Sequence, residues 1–137
     1  MAELKHISVM FSECMQALNI ESGKTYFDGT LGGGGHSYGI LERSSPNGRL
    51  VATDLDDYAI GRATERLKEF EGRFTLVKDN FKNFLQVKES LGIENFDGVL
   101  LDLGVSSFQE EVFYPACLLL LPRCCKAQSV LLLIVFL

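Results

Sequence analysis

Two rhythms of apolar and polar positions alternate along this chain. Between Val9 and Leu18 the apolar residues Val9, Met10, Cys14, Ala17 and Leu18 recur at helical spacing, which predicts a short amphipathic helix. TYFD (25–28) is a compact β-rich run that stops at a glycine loop, and RLVATD (49–54) is a second such run ending in an acid. A helical pattern resumes over 36–42 and ends at the turn signal SSPNG (44–48). Small or apolar residues at Ala59, Ile60, Ala63 and Leu67 predict a helix over 57–70. RFTLVKDN (73–80) reads as a third strand and turn, and 81–91 as a further helix. FDGVLLDLG (96–104) reads as a fourth strand, apolar through its centre as a parallel strand covered on both faces must be.

Strand alternating with helix is the α/β rhythm, and right-handed crossovers turn it into a doubly wound, mostly parallel sheet. In such sheets ligands sit outside the carboxyl ends of the strands. Asp28, Asp54 and Asp102 each read as closing a strand, so the pattern alone gathers three acids on one rim.

The loop between the first strand and its helix is DGTLGGGGHS (28–37). A polyglycine linker seldom sits between a tight β-run and a helix start. Glycines there let the chain turn sharply and let a ligand lie against bare backbone. The dinucleotide fingerprint G-x-G-x-x-G is not met, because the sixth position counted from Gly32 is Ser37 and from Gly33 is Tyr38. What fits is an acid two residues before a small residue, then alternating glycines: Asp28, Thr30, Gly32, Gly34. That pattern resembles the first motif of S-adenosylmethionine-dependent methyltransferases.

Asp54, 20 residues beyond Gly34, is placed either to accept both hydroxyls of a ribose or to cap the helix that begins near Asp57. Phe81 is either plain core or an apolar wall for an adenine ring. His36 either begins a helix or lines the cofactor pocket beside Gly34 and Gly35. Asp102 opens LDLGVSSFQ (101–109), as a turn former or as an acceptor for an amine that is to be methylated. An acceptor on such an NH₂ would localise its lone pair and take its proton. A contact to the charged amino-acid end of the cofactor is the other role open to Asp102.

Bulk properties narrow the picture only a little. At 137 residues the chain suits one domain, its net charge is −5, and its four cysteines (Cys14, Cys117, Cys124, Cys125) have no metal-like spacing. Reduced cysteines and no recognisable secretory signal point to a cytoplasmic setting. An acidic chain that grips nucleic acid needs a basic patch, here or in a part not in this sequence.

The segments KHISVMFSECMQALNI, YFDGTLGGGGHSYGIL, GRLVATDLDDYAI, RFTLVKDNF and FDGVLLDLGVSSFQ together resemble the small-subunit ribosomal RNA cytosine-N(4)-methyltransferase family (MraW/RsmH). The resemblance covers residues 5–109 in order. It implies a Rossmann-like S-adenosylmethionine-dependent methyltransferase fold and methyl transfer to the exocyclic amine of a cytosine in 16S rRNA. The target base of such a reaction must be unpaired or extruded. Carried over residue by residue, the cofactor contacts fall on Gly34, Gly35, His36, Asp54, Phe81, Asp102 and Gln109, with Asp102 also the catalytic candidate. Leu31-Gly32-Gly33 stands where the family often has Phe-Gly-Arg, and Phe108 where proline is common.

Residues 1–109 therefore read as the N-terminal part of a methyltransferase domain, and 110–137 as an atypical tail rich in Cys and Leu. The tail carries three of the four cysteines, two apolar runs and little charge. Its last run, Val130–Leu137, is far short of the about 20 residues needed to span a bilayer, so no membrane anchor is expected. The reading is a frameshifted or artefactual end. It leaves a sheet cut off after about four strands, uncovered flanks on the first and fourth, and tail leucines that fill the gap without specific geometry. A cofactor half-site with an incomplete substrate site follows. The competing readings are an inert fragment or small-ligand-binding protein and a nicotinamide-dependent oxidoreductase.

Overall fold

The computed structural model describes residues 11–105 and 130–136. Helix α1 (Phe11–Leu18) leads into strand β1 (Thr25–Asp28), followed by α2 (Gly35–Arg43), β2 (Arg49–Asp54) and α3 (Asp57–Arg66). A one-turn 3₁₀ segment (Lys68–Phe70) precedes β3 (Phe74–Lys78), and another (Phe81–Asn83) runs into α4 (Phe84–Ser90). Strands β4 (Gly98–Val105) and β5 (Val130–Phe136) complete the set.

The five strands among the described residues pair in parallel in the order β3-β2-β1-β4-β5. The chain winds outward from β1 to β3, then returns to the other side of β1, so the topological switch point lies between β1 and β4. Only four residues long, β1 is held by burial on both faces. Tyr26 packs in one core cluster with Leu18, Ile40, Leu50 and Leu100, and Phe27 in the other with Val51, Phe84, Phe96 and Val99. Each such side chain contributes about 1.5–3 kcal/mol on burial, more than the ~1 kcal/mol span of strand propensity. Burial, not local preference, makes this strand.

Helices α1, α2 and α3 supply the first cluster through Cys14, Met15, Leu18, Ile40, Leu41 and Ala63, while α4 supplies Phe84 and Val87 to the second. The sheet is thus covered on both faces, as a doubly wound arrangement requires.

Two expectations need correction. The sheet does not stop at the fourth strand, because Val130–Phe136 adds in register to β4, from Val99 beside Val130 to Val105 beside Phe136. This apolar run has a specific geometry. It covers the flank of β4 that was expected to be open, and it satisfies β4 backbone groups that would otherwise face outward. Asp102 also does not close its strand: β4 continues to Val105. Residues 106–129, which include Gln109, Cys117, Cys124 and Cys125, lie outside the described residues, as do Val9 and Met10.

Candidate functional site

Strand register sets the rim. Asp28 pairs with Ala52 on β2 and with Leu100 on β4, so Asp54 and Asp102 both lie two residues further along, on either side of it. The three acids therefore do share one end of the sheet, although their surroundings differ. Asp28 is fully buried. Its Oδ1 accepts from Thr30 N at 3.0 Å and its Oδ2 from Ser37 Oγ at 2.7 Å, which pins the start of the glycine loop to α2. It is a structural acid.

Asp54 is half-buried and faces the loop. Its Oδ2 accepts from Gly32 N at 2.9 Å and its Oδ1 from Asp56 N at 3.0 Å. The capping role belongs instead to Asp56, whose Oδ1 accepts from Tyr58 N at 3.0 Å at the head of α3. Asp54 is thereby left to the rim. Each carboxylate oxygen has two acceptor directions, so both retain capacity toward a ligand.

Backbone bonds knit the ends of the strands together. Gly29 N donates to Leu100 O at 2.9 Å, Leu31 N to Thr53 O at 3.1 Å, and Asp79 N to Asp54 O at 3.1 Å. Thr53 Oγ1 donates to Gly29 O at 3.1 Å. Above them opens a cleft of about 380 Å³ lined by Gly29, Thr30, Gly32, Asp54, Leu55, Asp79, Asn80 and Phe81. That volume falls in the range of about 300–1,000 Å³ usual for small-molecule sites. One wall is apolar, made by Phe81 and by Leu55, which is 62% exposed. The floor is bare backbone at Gly29, where a Cβ would strike the Leu101 side chain and come within 2.8 Å of Phe81 Cβ.

Of the residues singled out by sequence, Asp54 and Phe81 line this cleft. Gly34 does not: it is the left-handed N-cap of α2 (φ 85°), and a Cβ there would meet Ala63 Cβ at 3.2 Å. It lets α2 begin against α3. Gly35 opens α2, and His36 is not among the residues that line the cleft. It is 5% exposed, stacks on Phe11 with ring centroids 5.9 Å apart, and leaves Nε2 without a partner among the described residues. Asp102 shares the rim by register, on β4. Sequence reasoning missed Asp79, Asn80 and Leu55. The signal for them was their place at or just past the ends of β3 and β2.

A cleft over the carboxyl ends of a doubly wound sheet, beside its switch point and walled by a β2-terminal acid and an aromatic, is the site of a Rossmann-like nucleotide-type fold. Solved structures share this fold. An rRNA methylase from Streptococcus thermophilus superposes with a TM-score of 0.67 at 17% identity, over 97% of this chain and 74% of that one. TrmN from Thermus thermophilus gives 0.75 at 18% identity, over 93% of this chain and 38% of that one.

The MraW methylase family model matches residues 3–112, and the chain belongs to that family. It is 53% identical over 107 residues to ribosomal RNA small subunit methyltransferase H of Lachnospira eligens, covering 78% of this chain and 34% of that protein. Against the protein of the same name from Symbiobacterium thermophilum it is 50% identical over 104 residues, covering 76% and 33%. The chain thus spans about a third of the length of these curated relatives. No helix among its described residues is long and apolar enough to cross a membrane.

Proposed function

We propose that this chain holds the cofactor site of an S-adenosylmethionine-dependent methyltransferase that N(4)-methylates a cytosine of 16S rRNA in the small ribosomal subunit. The observation that carries the reading is the cleft. A carboxylate at Asp54, an aromatic wall at Phe81 and uncovered backbone at Gly29 and Gly32 fit the hydroxyls, the flat base and the slender linker of an adenosyl group.

When bound, S-adenosylmethionine supplies an electrophilic methyl group on a sulfonium. Asp54 orients the nucleoside by accepting from its ribose hydroxyls, and Phe81 excludes water from one face of the base. Gly34, Gly35 and His36, in the cap and first turn of α2, are proposed contacts on the strength of the family resemblance. So is Gln109. Asp102 would accept a hydrogen bond from the target amine and take the proton that nitrogen loses as the methyl passes to it from the sulfonium, whose S–C bond breaks to leave a neutral thioether. The small-subunit ribosome is the proposed partner and the cytoplasm the proposed setting.

Incubating small ribosomal subunits with the chain and methyl-labelled cofactor tests this reading. Label recovered as N(4)-methylcytosine, and lost with Asp102→Ala, supports it; label on another base contradicts it. Binding without turnover is the second reading. It is favoured by the net charge of −5, which leaves RNA phosphates little to hold. Saturable cofactor binding with no label transferred under any subunit concentration distinguishes the two.

A further inference from the structure

Tyr58, Arg62 and Arg66 recur at intervals of four residues on α3 and are all exposed, so they form one stripe along the helix. Tyr58 is 72% exposed, and the Arg62 guanidinium lies over its ring, 5.7 Å from the centroid. Arg66 Nη1 donates to Gly33 O at 3.4 Å, at the glycine loop. The stripe borders the cleft at both ends, because Leu55, three residues before Tyr58, and Gly32, next to Gly33, both line it. The acids around the stripe are already engaged. Asp57 Oδ2 pairs with Lys78 Nζ at 2.8 Å, and Glu65 Oε1 with Lys68 Nζ at 2.6 Å. Glu69 Oε1 accepts from Tyr38 Oη at 2.6 Å, and Asp56 Oδ1 from Tyr58 N at 3.0 Å. Neither Arg62 nor Arg66 takes part in an ion pair among the described residues. Like charges at this spacing disfavour a helix. A chain of net charge −5 thus keeps two uncompensated cations and an open aromatic ring side by side at the edge of the cleft.

We propose that this face of α3 receives a single-stranded segment of the RNA substrate, with one base stacked on Tyr58 and neighbouring phosphates held by Arg62 and Arg66. The inference rests on reading the cleft as the cofactor site of an RNA methyltransferase. Aromatic faces stack bases whatever their sequence, and the planar guanidinium fork matches the geometry of a phosphate. Four residues of helix separate the two arginines by about 6 Å along the axis, a step that suits successive phosphates of an extended strand. A duplex hides its base faces, so Tyr58 selects unpaired RNA, and a base that is to be methylated at its exocyclic amine must itself be unpaired.

Fluorescence anisotropy of the full chain with a labelled single-stranded RNA of about 12 nucleotides tests this, beside a duplex of the same length. Wild type binds the single strand more tightly than the duplex. Tyr58→Ala weakens single-strand binding about 5- to 150-fold, and Tyr58→Phe retains it. Arg62→Gln and Arg66→Gln each flatten the slope of log affinity against log salt by about 0.7, a change that a merely structural role would not produce. Calorimetry with S-adenosylhomocysteine gives one affinity for wild type, Tyr58→Ala and Arg62→Gln, which separates the RNA face from the cofactor cleft. RNA affinity and salt slope unchanged in the Arg62→Gln/Arg66→Gln double variant overturn the inference alone. So does a wild-type chain that binds S-adenosylhomocysteine but no RNA, or that binds the duplex equally well. Displacement of the RNA by polyglutamate at matched charge also overturns it, and makes the face a seat for an acidic protein segment. Failure of the folded wild-type chain to bind S-adenosylhomocysteine overturns the cofactor reading, and this inference with it.

Discussion

Asp54 Oδ2 accepts a hydrogen bond from Gly32 N at 2.9 Å, tying the end of β2 to the glycine loop that follows β1. The same carboxylate holds the Asp56 amide with its other oxygen, so one side chain sets both the height of the loop and the entry to α3. A ligand hydroxyl that reaches Asp54 therefore meets an acceptor that is already oriented.

Asp54→Ala removes that acceptor and releases two amides that lie near solvent. The expected cost to folding is small, about 1 kcal/mol, since water takes over the freed N–H groups. The expected cost to S-adenosylmethionine binding is larger, about 10- to 100-fold, with Asp54→Asn in between. Paired urea denaturation and calorimetry measure the two effects separately.

Gly34 and Gly33 sit side by side in the loop yet predict opposite outcomes. Gly34 has φ +85° and its added Cβ would press on Ala63 at 3.2 Å, whereas Gly33 has nothing within 4 Å of such an atom. Gly34→Ala is expected to cost about 1–2 kcal/mol, and Gly33→Ala to stay within about 0.5 kcal/mol of wild type. Thermal or urea unfolding of the two variants checks this.

Ser37 donates to the buried Asp28 carboxylate at 2.7 Å. Ser37→Ala withdraws a donor from the buried Asp28 carboxyl group and is expected to destabilise the chain by about 2 kcal/mol. Because the pair joins β1 to α2, slower cofactor association should accompany the loss, as seen by stopped-flow mixing.

Tyr26 gives a pH dependence. Burial pushes its phenol above the ordinary tyrosine value, and Asp97 and Glu21 push the same way. The hydrogen bond from Glu21 N at 2.8 Å, second to burial and ahead of either charge, acts the other way without cancelling the rise. In the unfolded chain the phenol ionises first, near pH 10. Its contribution is therefore fully present below that pH and is lost as pH rises through the higher folded value. Tyr26→Phe should lose less stability than wild type between pH 9 and pH 11 in urea titrations (about two pH units around the free phenol value).

The β1 and β2 boundaries were legible to the residue, since each is a short buried run bounded by a turn signal. The helix expected over 57–70 breaks after Arg66, where Leu67 caps it and a 3₁₀ turn carries on to Phe70. Periodicity missed that break because Leu67 and Phe70 are both buried, and a change from α to 3₁₀ leaves the apolar spacing nearly intact. The helix expected from Phe81 likewise begins as 3₁₀. At the site, Asp54 and Phe81 were legible because each ends or follows a recognisable strand. Asp79 and Asn80 were hidden, because Asp-Asn reads first as a turn. His36, in the first turn of α2, stacks its ring on Phe11. Strand β5 was invisible locally, since a continuous apolar run carries no period-two signal and its partner β4 is distant in sequence.

The cleft over β1, β2 and β3 is the proposed seat of the adenosyl cofactor. Titrating the isotope-labelled chain with S-adenosylmethionine and following its amide resonances tests it most directly, with NAD as control. Saturable shifts centred on Gly29, Gly32, Leu55, Asp79 and Phe81, and absent with NAD, are the predicted result. Shifts confined to residues away from this rim, or none in a folded chain, would contradict it.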